Sequence, residues 1–336
     1  MSDEAIPTPN ATLPSRRPHP AVPSTVSAEA QAMLSRPAPQ GVPGYPDLAD
    51  TEGWAAYATS INTMVRPYFE ASLPPAESYD VIHAPIAGVS NFTVRPRHAE
   101  GAVNTPVFIE IHGGALYLGG GELSWMPAAA HAIGRKGVTW APDYRMPPSA
   151  PFPAALDDLM ALYRAAIDAV GAHRVVISGT SGGGNLAAGL LVRAKDEGLP
   201  MPAALVLLTP EVDLTESGDT FATNDGIDSV LGSLMTVNRL YANGEDLRHP
   251  YISPLFADLT GFPPTFLQSG TRDLFLSNTV RMHRALLKAG VAAELHVFEA
   301  MPHGGFGGGT PEDAEIRAAA RRFEATQLER AATDQG

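Results

Sequence analysis

The sequence predicts an α/β fold in which a mostly parallel central sheet is flanked by helices. Three observations carry that prediction. Short β-branched runs alternate with helical stretches from Val107 onward, the order that parallel strand–helix–strand units require. The run 204–208 (Ala-Leu-Val-Leu-Leu) shows no polar alternation, so it is expected to be buried on both faces. The strand 175–178 leads through Gly179-Thr180-Ser181-Gly182-Gly183 into a helical segment, 186–195. That is a strand–turn–helix built on G-x-S-x-G.

The elements follow in chain order. Residues 1–26 are punctuated by Pro7, Pro9, Pro14, Pro18, Pro20 and Pro23 and read as a disordered or extended tail. Ser27 caps a short helix that runs to Leu34. Trp54, Tyr57, Ile61, Met64, Val65 and Tyr68 fall on one face of a second helix, capped by Asp50 or Thr51 and expected to kink or end at Pro67. Strands at 79–86 and 92–97 form an antiparallel pair about Gly88-Val89-Ser90. The strand 107–111 runs into His112-Gly113-Gly114, a helix covers 122–135, and 138–141 is the next strand. An amphipathic helix at 153–170 precedes the elbow. After it come strands at 204–208, 265–269 and 295–298, a helix at 277–289, and a helix start at Thr310-Pro311-Glu312-Asp313.

The chemistry is expected where these strands end. In the elbow, Ser181 sits on a tight turn with its hydroxyl clear of the sheet, and glycines on both sides let strand and helix pass closely. The helix behind it brings partial positive charge toward any oxyanion that forms. After the 107–111 strand, the N–H groups of Gly113 and Gly114 join that of Gly182 as oxyanion donors, and His112 holds the loop rather than acting as base. After 265–269 comes Asp273, and after the last strand His303. The chain order Ser181, Asp273, His303 is the order of nucleophile, acid and base in one class of serine hydrolases. Glu211 and Asp213, after the 204–208 strand, are rival acids. Tyr117, Leu118, Met146 and Phe306 are pocket-wall candidates by adjacency to these motifs.

Composition excludes other classes. A net charge of −13 argues against a nucleic-acid partner, and no apolar run is long enough to cross a membrane. The chain has no cysteine, which fits a cytoplasmic protein and leaves no thiolate chemistry. Neither a metal-ligand spacing nor a phosphate-loop or dinucleotide fingerprint is present, so no metal or cofactor is expected.

Beyond single motifs, the chain resembles the bacterial hormone-sensitive-lipase-like (family IV) carboxylesterases of the α/β-hydrolase fold from about Tyr79 to Phe306. The resemblance rests on His112-Gly113-Gly114, Ala141-Pro142-Asp143-Tyr144-Arg145 continuing to Pro151-Phe152-Pro153-Ala154-Ala155-Leu156-Asp157-Asp158, Gly179 to Asn185, Tyr251-Ile252-Ser253-Pro254-Leu255-Phe256-Ala257-Asp258-Leu259, Asp273 and His303. Four departures bear on substrate. Ala115 replaces the last glycine of H-G-G-G, and Gly-Thr-Ser-Gly-Gly replaces the common G-D-S-A-G. Ser277 stands where a second aspartate is common, and an extra glycine separates His303 from Phe306. The threonine elbow is similar to a subgroup that includes monoterpene lactone hydrolases. The resemblance implies a helical cap from residues 27–75 and an insertion at about 216–243, on a catalytic domain spanning 76–336. It also implies an acyl-enzyme mechanism on short, partly apolar esters. A lactone hydrolase, deacetylase or xenobiotic-ester hydrolase is the alternative, and a non-catalytic small-molecule-binding protein a third. A homodimer is the expected assembly.

Overall fold

The computed structural model describes residues 20–36, 44–97 and 105–333. Eight strands form one sheet: β1 (Tyr79–His83), β2 (Asn91–Pro96), β3 (Val107–Ile111), β4 (Val138–Pro142), β5 (Val175–Thr180), β6 (Ala204–Leu208), β7 (Thr265–Gly270) and β8 (Ala293–Phe298). Their spatial order is β1-β2-β4-β3-β5-β6-β7-β8. β2 is antiparallel to β1 and β4, and every other pairing is parallel. Nine helices accompany the sheet among the described residues: α1 (Ala28–Leu34), α2 (Thr51–Ala71), α3 (Met126–Ala132), α4 (Ala154–Val170), α5 (Gly182–Asp196), α6 (Thr220–Thr223), α7 (Met235–Ala242), α8 (Leu276–Lys288) and α9 (Pro311–Thr333). None of them is long and apolar enough to cross a membrane.

The period-2 geometry of the strands divides the core. Ile109, Ile111, Ile177, Leu205, Leu207 and Leu267 face a large cluster with α4, α5 and α8. The alternate residues Phe108, Val176, Ala204, Val206 and Phe266 face Ala319, Ala320 and Phe323 of α9. The sheet is therefore covered on both sides, which is why β6 shows no alternation.

A second layer closes over the strand ends. Trp54, Tyr57 and Ile61 of α2 pack with Leu234, Val237 and Leu240, on and beside α7. They meet Tyr117, Leu274 and Phe275 in the loops that follow β3 and β7, at the C-terminal ends of those strands. This layer is called the cap below.

Four expectations need correction. Of the kink or end expected at Pro67, the end does not occur, and α2 continues to Ala71 with the proline inside it. Pro67 and Thr63, one turn before it, are both exposed, so water can serve the carbonyl that the proline leaves unbonded. The helix expected at 122–135 is a 3-10 turn, Gly121–Ser124, followed by α3, because Pro127 belongs in a first turn. α1 joins the body rather than the cap: Val26 and Ala30 pack on Ala300, Met301, Phe306 and Ile316. The last part of the expected tail is docked as well. Thr25 Oγ1 donates to Glu299 Oε2 over 2.8 Å, and Arg272 Nη2 donates to the Ala21 carbonyl over 2.8 Å. The remainder of that tail, 1–19, lies outside the described residues.

Candidate active site

The elbow is strained where a nucleophile would need it. Ser181 has φ 58° and ψ −124°, a region that L-residues rarely occupy. Its N–H donates to Leu208 O over 2.9 Å, and its carbonyl accepts from Asn185 N and Glu211 N, each over 3.2 Å. The glycines around it are demanded by contact. A Cβ on Gly179 would lie 2.2 Å from Gly183 O, and one on Gly183 would lie 2.2 Å from Ile111 O. α5 therefore starts at Gly182, four residues earlier than helix propensity indicates, because close packing on β3 and β5 overrides the poor propensity of three glycines.

Three strand-end loops converge. Ser181 Oγ lies 2.9 Å from His303 Nε2, and His303 Nδ1 lies 3.0 Å from Asp273 Oδ1. Since the carboxylate only accepts, Nδ1 carries the proton and Nε2 is left as acceptor for the hydroxyl. Asp273 is itself fixed: Oδ1 accepts from Phe275 N over 2.9 Å and Oδ2 from Ser269 Oγ over 2.6 Å. The loops carrying acid and base are pressed together at Gly270, where a Cβ would lie 2.0 Å from Met301 O. Burial pushes the His303 imidazolium down, but the Asp273 carboxylate, its hydrogen bond and the Asp228 carboxylate push it further up. The net result is above the ordinary histidine value.

Beside Ser181 the chain turns left-handed over three residues: Gly114 at φ 121°, Ala115 at φ 48° and Leu116 at φ 65°. Gly114 O holds the turn by accepting from Tyr117 N over 3.1 Å and Leu118 N over 2.9 Å. Gly113 lies against the elbow, where a Cβ would come within 3.3 Å of Ser181 Cβ. The N–H groups of Gly113, Gly114, Ala115 and Gly182 donate to no protein acceptor among the described residues. Successive free N–H groups in such a turn form an anion-binding concavity, and Gly182 N–H is one of the unpaired donors of a helix start. The sequence singles out Ala115 only as the replacement of a glycine and not as a donor, because a turn is recognised by its glycines.

His112 supports this loop. Its Nδ1–H donates to Gly113 O over 2.8 Å, and its ring stacks on Tyr144 with centroids 4.2 Å apart. Burial pulls its imidazolium down to about 4, so it is neutral at ordinary pH.

The rival acids lie elsewhere. Asp213 accepts from Arg281 Nη1, Thr215 and Ser217. Glu211 is 0% exposed; Oε1 accepts from Asn238 Nδ2 over 2.9 Å and Oε2 has no partner. Of the pocket-wall candidates, Tyr117 and Leu118 belong to the cap cluster and Met146 packs on the main core beside Gly120. Phe306 is a correction: it is a buried anchor for α1, because the glycines after His303 turn the chain back under that helix. Among the described residues no group of three or more His, Asp or Glu side chains converges as a metal site.

Residues 108–306 match a family model described as alpha/beta hydrolase fold. The chain belongs to that family. It is 32% identical over 213 residues to an acetyl-hydrolase of Streptomyces hygroscopicus, covering 62% of this chain and 70% of that one. The solved structure of an esterase, E25, superposes with a TM-score of 0.82 at 36% identity, covering 95% of this chain and 99% of the other. A hormone-sensitive lipase from a metagenome library superposes with a TM-score of 0.79 at 28% identity, over 90% of this α/β hydrolase and 99% of the other chain.

Proposed function

We propose that this α/β hydrolase is a serine carboxylesterase that cleaves esters of short, partly apolar acyl groups through an acyl-enzyme. The observation that carries the reading is the hydrogen-bonded line from Ser181 Oγ through His303 to Asp273, with free N–H groups on the loop beside it. His303 Nε2 takes the hydroxyl proton as Ser181 Oγ bonds to the ester carbonyl carbon. Asp273 keeps the proton on Nδ1 and stabilises the imidazolium. The tetrahedral oxyanion is held by the N–H groups of Gly113, Gly114 and Gly182, with Ala115 beside them. Losing one such donor costs about 10²–10³ in kcat. His303 then protonates the leaving alcohol, and the same residue activates the water that releases the acid. Tyr117 and Leu118 form the apolar wall between this centre and the cap. The likeness to an acetyl-hydrolase and to esterases supports both the chemistry and the short acyl group. Lactones present the same carbonyl chemistry and belong to the substrate range to be tested. The reading retains the expectations of a cytoplasmic enzyme and a homodimer, which cell fractionation and light scattering check.

The test is hydrolysis of p-nitrophenyl esters of increasing acyl length, and of a lactone series, by wild type and Ser181→Ala. Wild type is expected to prefer short chains, and Ser181→Ala to lose at least about 10⁴-fold in kcat. A kcat in Ser181→Ala within about tenfold of wild type, or no turnover by wild type on any substrate, refutes the reading.

A further inference from the structure

Three buried polar side chains of the cap, Thr220, Asn224 and Asp228, are 8%, 9% and 6% exposed. α6 ends at Thr223 and the chain turns on through Gly226 at φ 71°, with Asn224 N donating to Thr220 O over 2.9 Å and Asp228 N to Asn224 O over 3.0 Å. Each of the three side chains reaches the loop that carries Asp273.

Thr220 Oγ1 donates to Leu274 O over 2.8 Å and accepts from Ser277 N over 2.9 Å. Its own N–H donates to Ser277 Oγ over 3.0 Å. Asn224 Nδ2 donates to Asp273 O over 2.8 Å and to Thr271 O over 3.2 Å. Asp228 Oδ2 accepts from Leu274 N over 2.8 Å, while Oδ1 accepts from Val230 N over 2.9 Å and Leu231 N over 3.3 Å. The cap thus binds the backbone on both sides of Asp273, and almost every turn of 271–277 is tied to it. Phe221 packs on Phe275 with centroids 5.7 Å apart, and the Phe275 ring meets His303 edge-on at 4.8 Å.

We infer that Thr220, Asn224 and Asp228 are positioning residues for the Asp273–His303 pair, so that the cap covers the site and also holds acid and base in register. The inference rests on the esterase reading only for the roles of Asp273 and His303. It differs from ordinary structural bonding in two respects. The bonds converge on the loop whose displacement would misalign the base, and a 1 Å misplacement costs about 10²-fold in rate. The Asp228 carboxylate also acts on the imidazolium electrostatically, raising its pKa. Burial pushes the Asp228 carboxyl itself above the ordinary aspartate value and Asp273 adds to this; His303 and the N–H groups of Val230 and Leu274 oppose the rise without reversing it. Among charged groups, those acting on His303 are Asp273, from the β7–α8 loop, and Asp228, from the cap.

The experiment compares Asp228→Asn, Thr220→Val and Thr220→Ser with wild type in the full chain. In Asp228→Asn the acid limb of kcat/KM is expected to move to lower pH, because the imidazolium loses a stabilising carboxylate. Its kcat is expected to fall about tenfold to a hundredfold, with KM within about threefold. Thr220→Val is expected to lower kcat with the limb unmoved, and Thr220→Ser to restore it. The low-field ¹H resonance of His303 Nδ1–H, titrated in the same variants, reports the same shift without turnover. It therefore separates failure of this inference from failure of the esterase reading, which Ser181→Ala probes. A limb and an imidazole titration that overlay wild type in Asp228→Asn overturn the inference, as does wild-type kcat in Thr220→Val. If Asp228→Asn does not fold, the Thr220 pair decides.

Discussion

Glu211 offers the sharpest test of the energetics around the nucleophile. Its N–H donates to the carbonyl of Ser181, its side chain is 0% exposed, and only one carboxyl oxygen has a partner. Burial pushes the carboxyl up from 4.5 to about 8; the Asn238 hydrogen bond opposes this, and Glu216 and Asp213 add to it. The folded state therefore holds a proton that the unfolded chain has released between pH 4.5 and about 8. Stability falls as pH rises through that window and levels off above it. The displacement corresponds to roughly 5 kcal/mol when complete, of which roughly 4 kcal/mol accrues between pH 5 and 9. Glu211→Gln cannot ionise. Its unfolding free energy in urea is expected to gain on wild type by roughly 4 kcal/mol when the comparison moves from pH 5 to pH 9. Any fixed penalty for an unpartnered amide cancels in that difference. A gap that stays constant between the two pH values, within about 1 kcal/mol, refutes the claim that Glu211 is held neutral.

Two further outcomes follow from buried charge. For the proposed base the sign runs the other way in activity: His303 must be neutral to accept a proton, and its imidazolium is stabilised. The kcat/KM profile is expected to rise through an acid limb above pH 6.5, the ordinary histidine value; a limb below that value contradicts the geometry. On the opposite face of the sheet, Arg135 bridges Glu110 and Glu324, and all three side chains are at most 4% exposed. Arg135→Met removes both hydrogen bonds to Glu324 and leaves Glu110 with His131 and Ser178, and is expected to cost about 3–5 kcal/mol in urea unfolding. A loss below about 1 kcal/mol would show that the network is dispensable.

What the sequence disclosed depended on the kind of signal each residue leaves. β3, β5, β6 and β7 are legible because β-branched or apolar runs bounded by glycine and proline permit little else. Ser181, Asp273 and His303 were named because each stands just past such a run. Ala115 was legible only as a replaced glycine and not as a loop donor: the turn is held by Gly114 O, which accepts from Tyr117 N and Leu118 N, not by the alanine's own residue type. Thr220, Asn224 and Asp228 were silent. Small polar residues spaced along a turn-rich segment read as solvated until a partner loop is known to cover them. Phe306 failed in the opposite sense. Adjacency to His303 suggested the pocket, whereas Gly304, Gly305, Gly307 and Gly308, all at positive φ, reverse the chain and carry the ring beneath α1. Proximity in sequence predicts proximity in space along a strand and fails across a glycine-rich loop.

The same distinction explains how a strained nucleophile persists. Holding an L-residue at φ 58° and ψ −124° costs on the order of 1–3 kcal/mol, and nothing local to Ser181 repays that. What retains it is distributed: its N–H is fixed to β6, its carbonyl to α5 and to Glu211, and its neighbouring glycines are wedged against β3. Relaxing the turn would break all of these at once, so the strain is stable although no single contact balances it. Two buried acids, Asp273 and Glu211, have opposite environments. Asp273 is surrounded by donors, from Phe275 N, Ser269 Oγ and His303, and suits a charge. Glu211 has one donor and an empty side, and suits a proton. Of these two buried acids, donor count rather than distance from the nucleophile decides which can act as the anion of a triad.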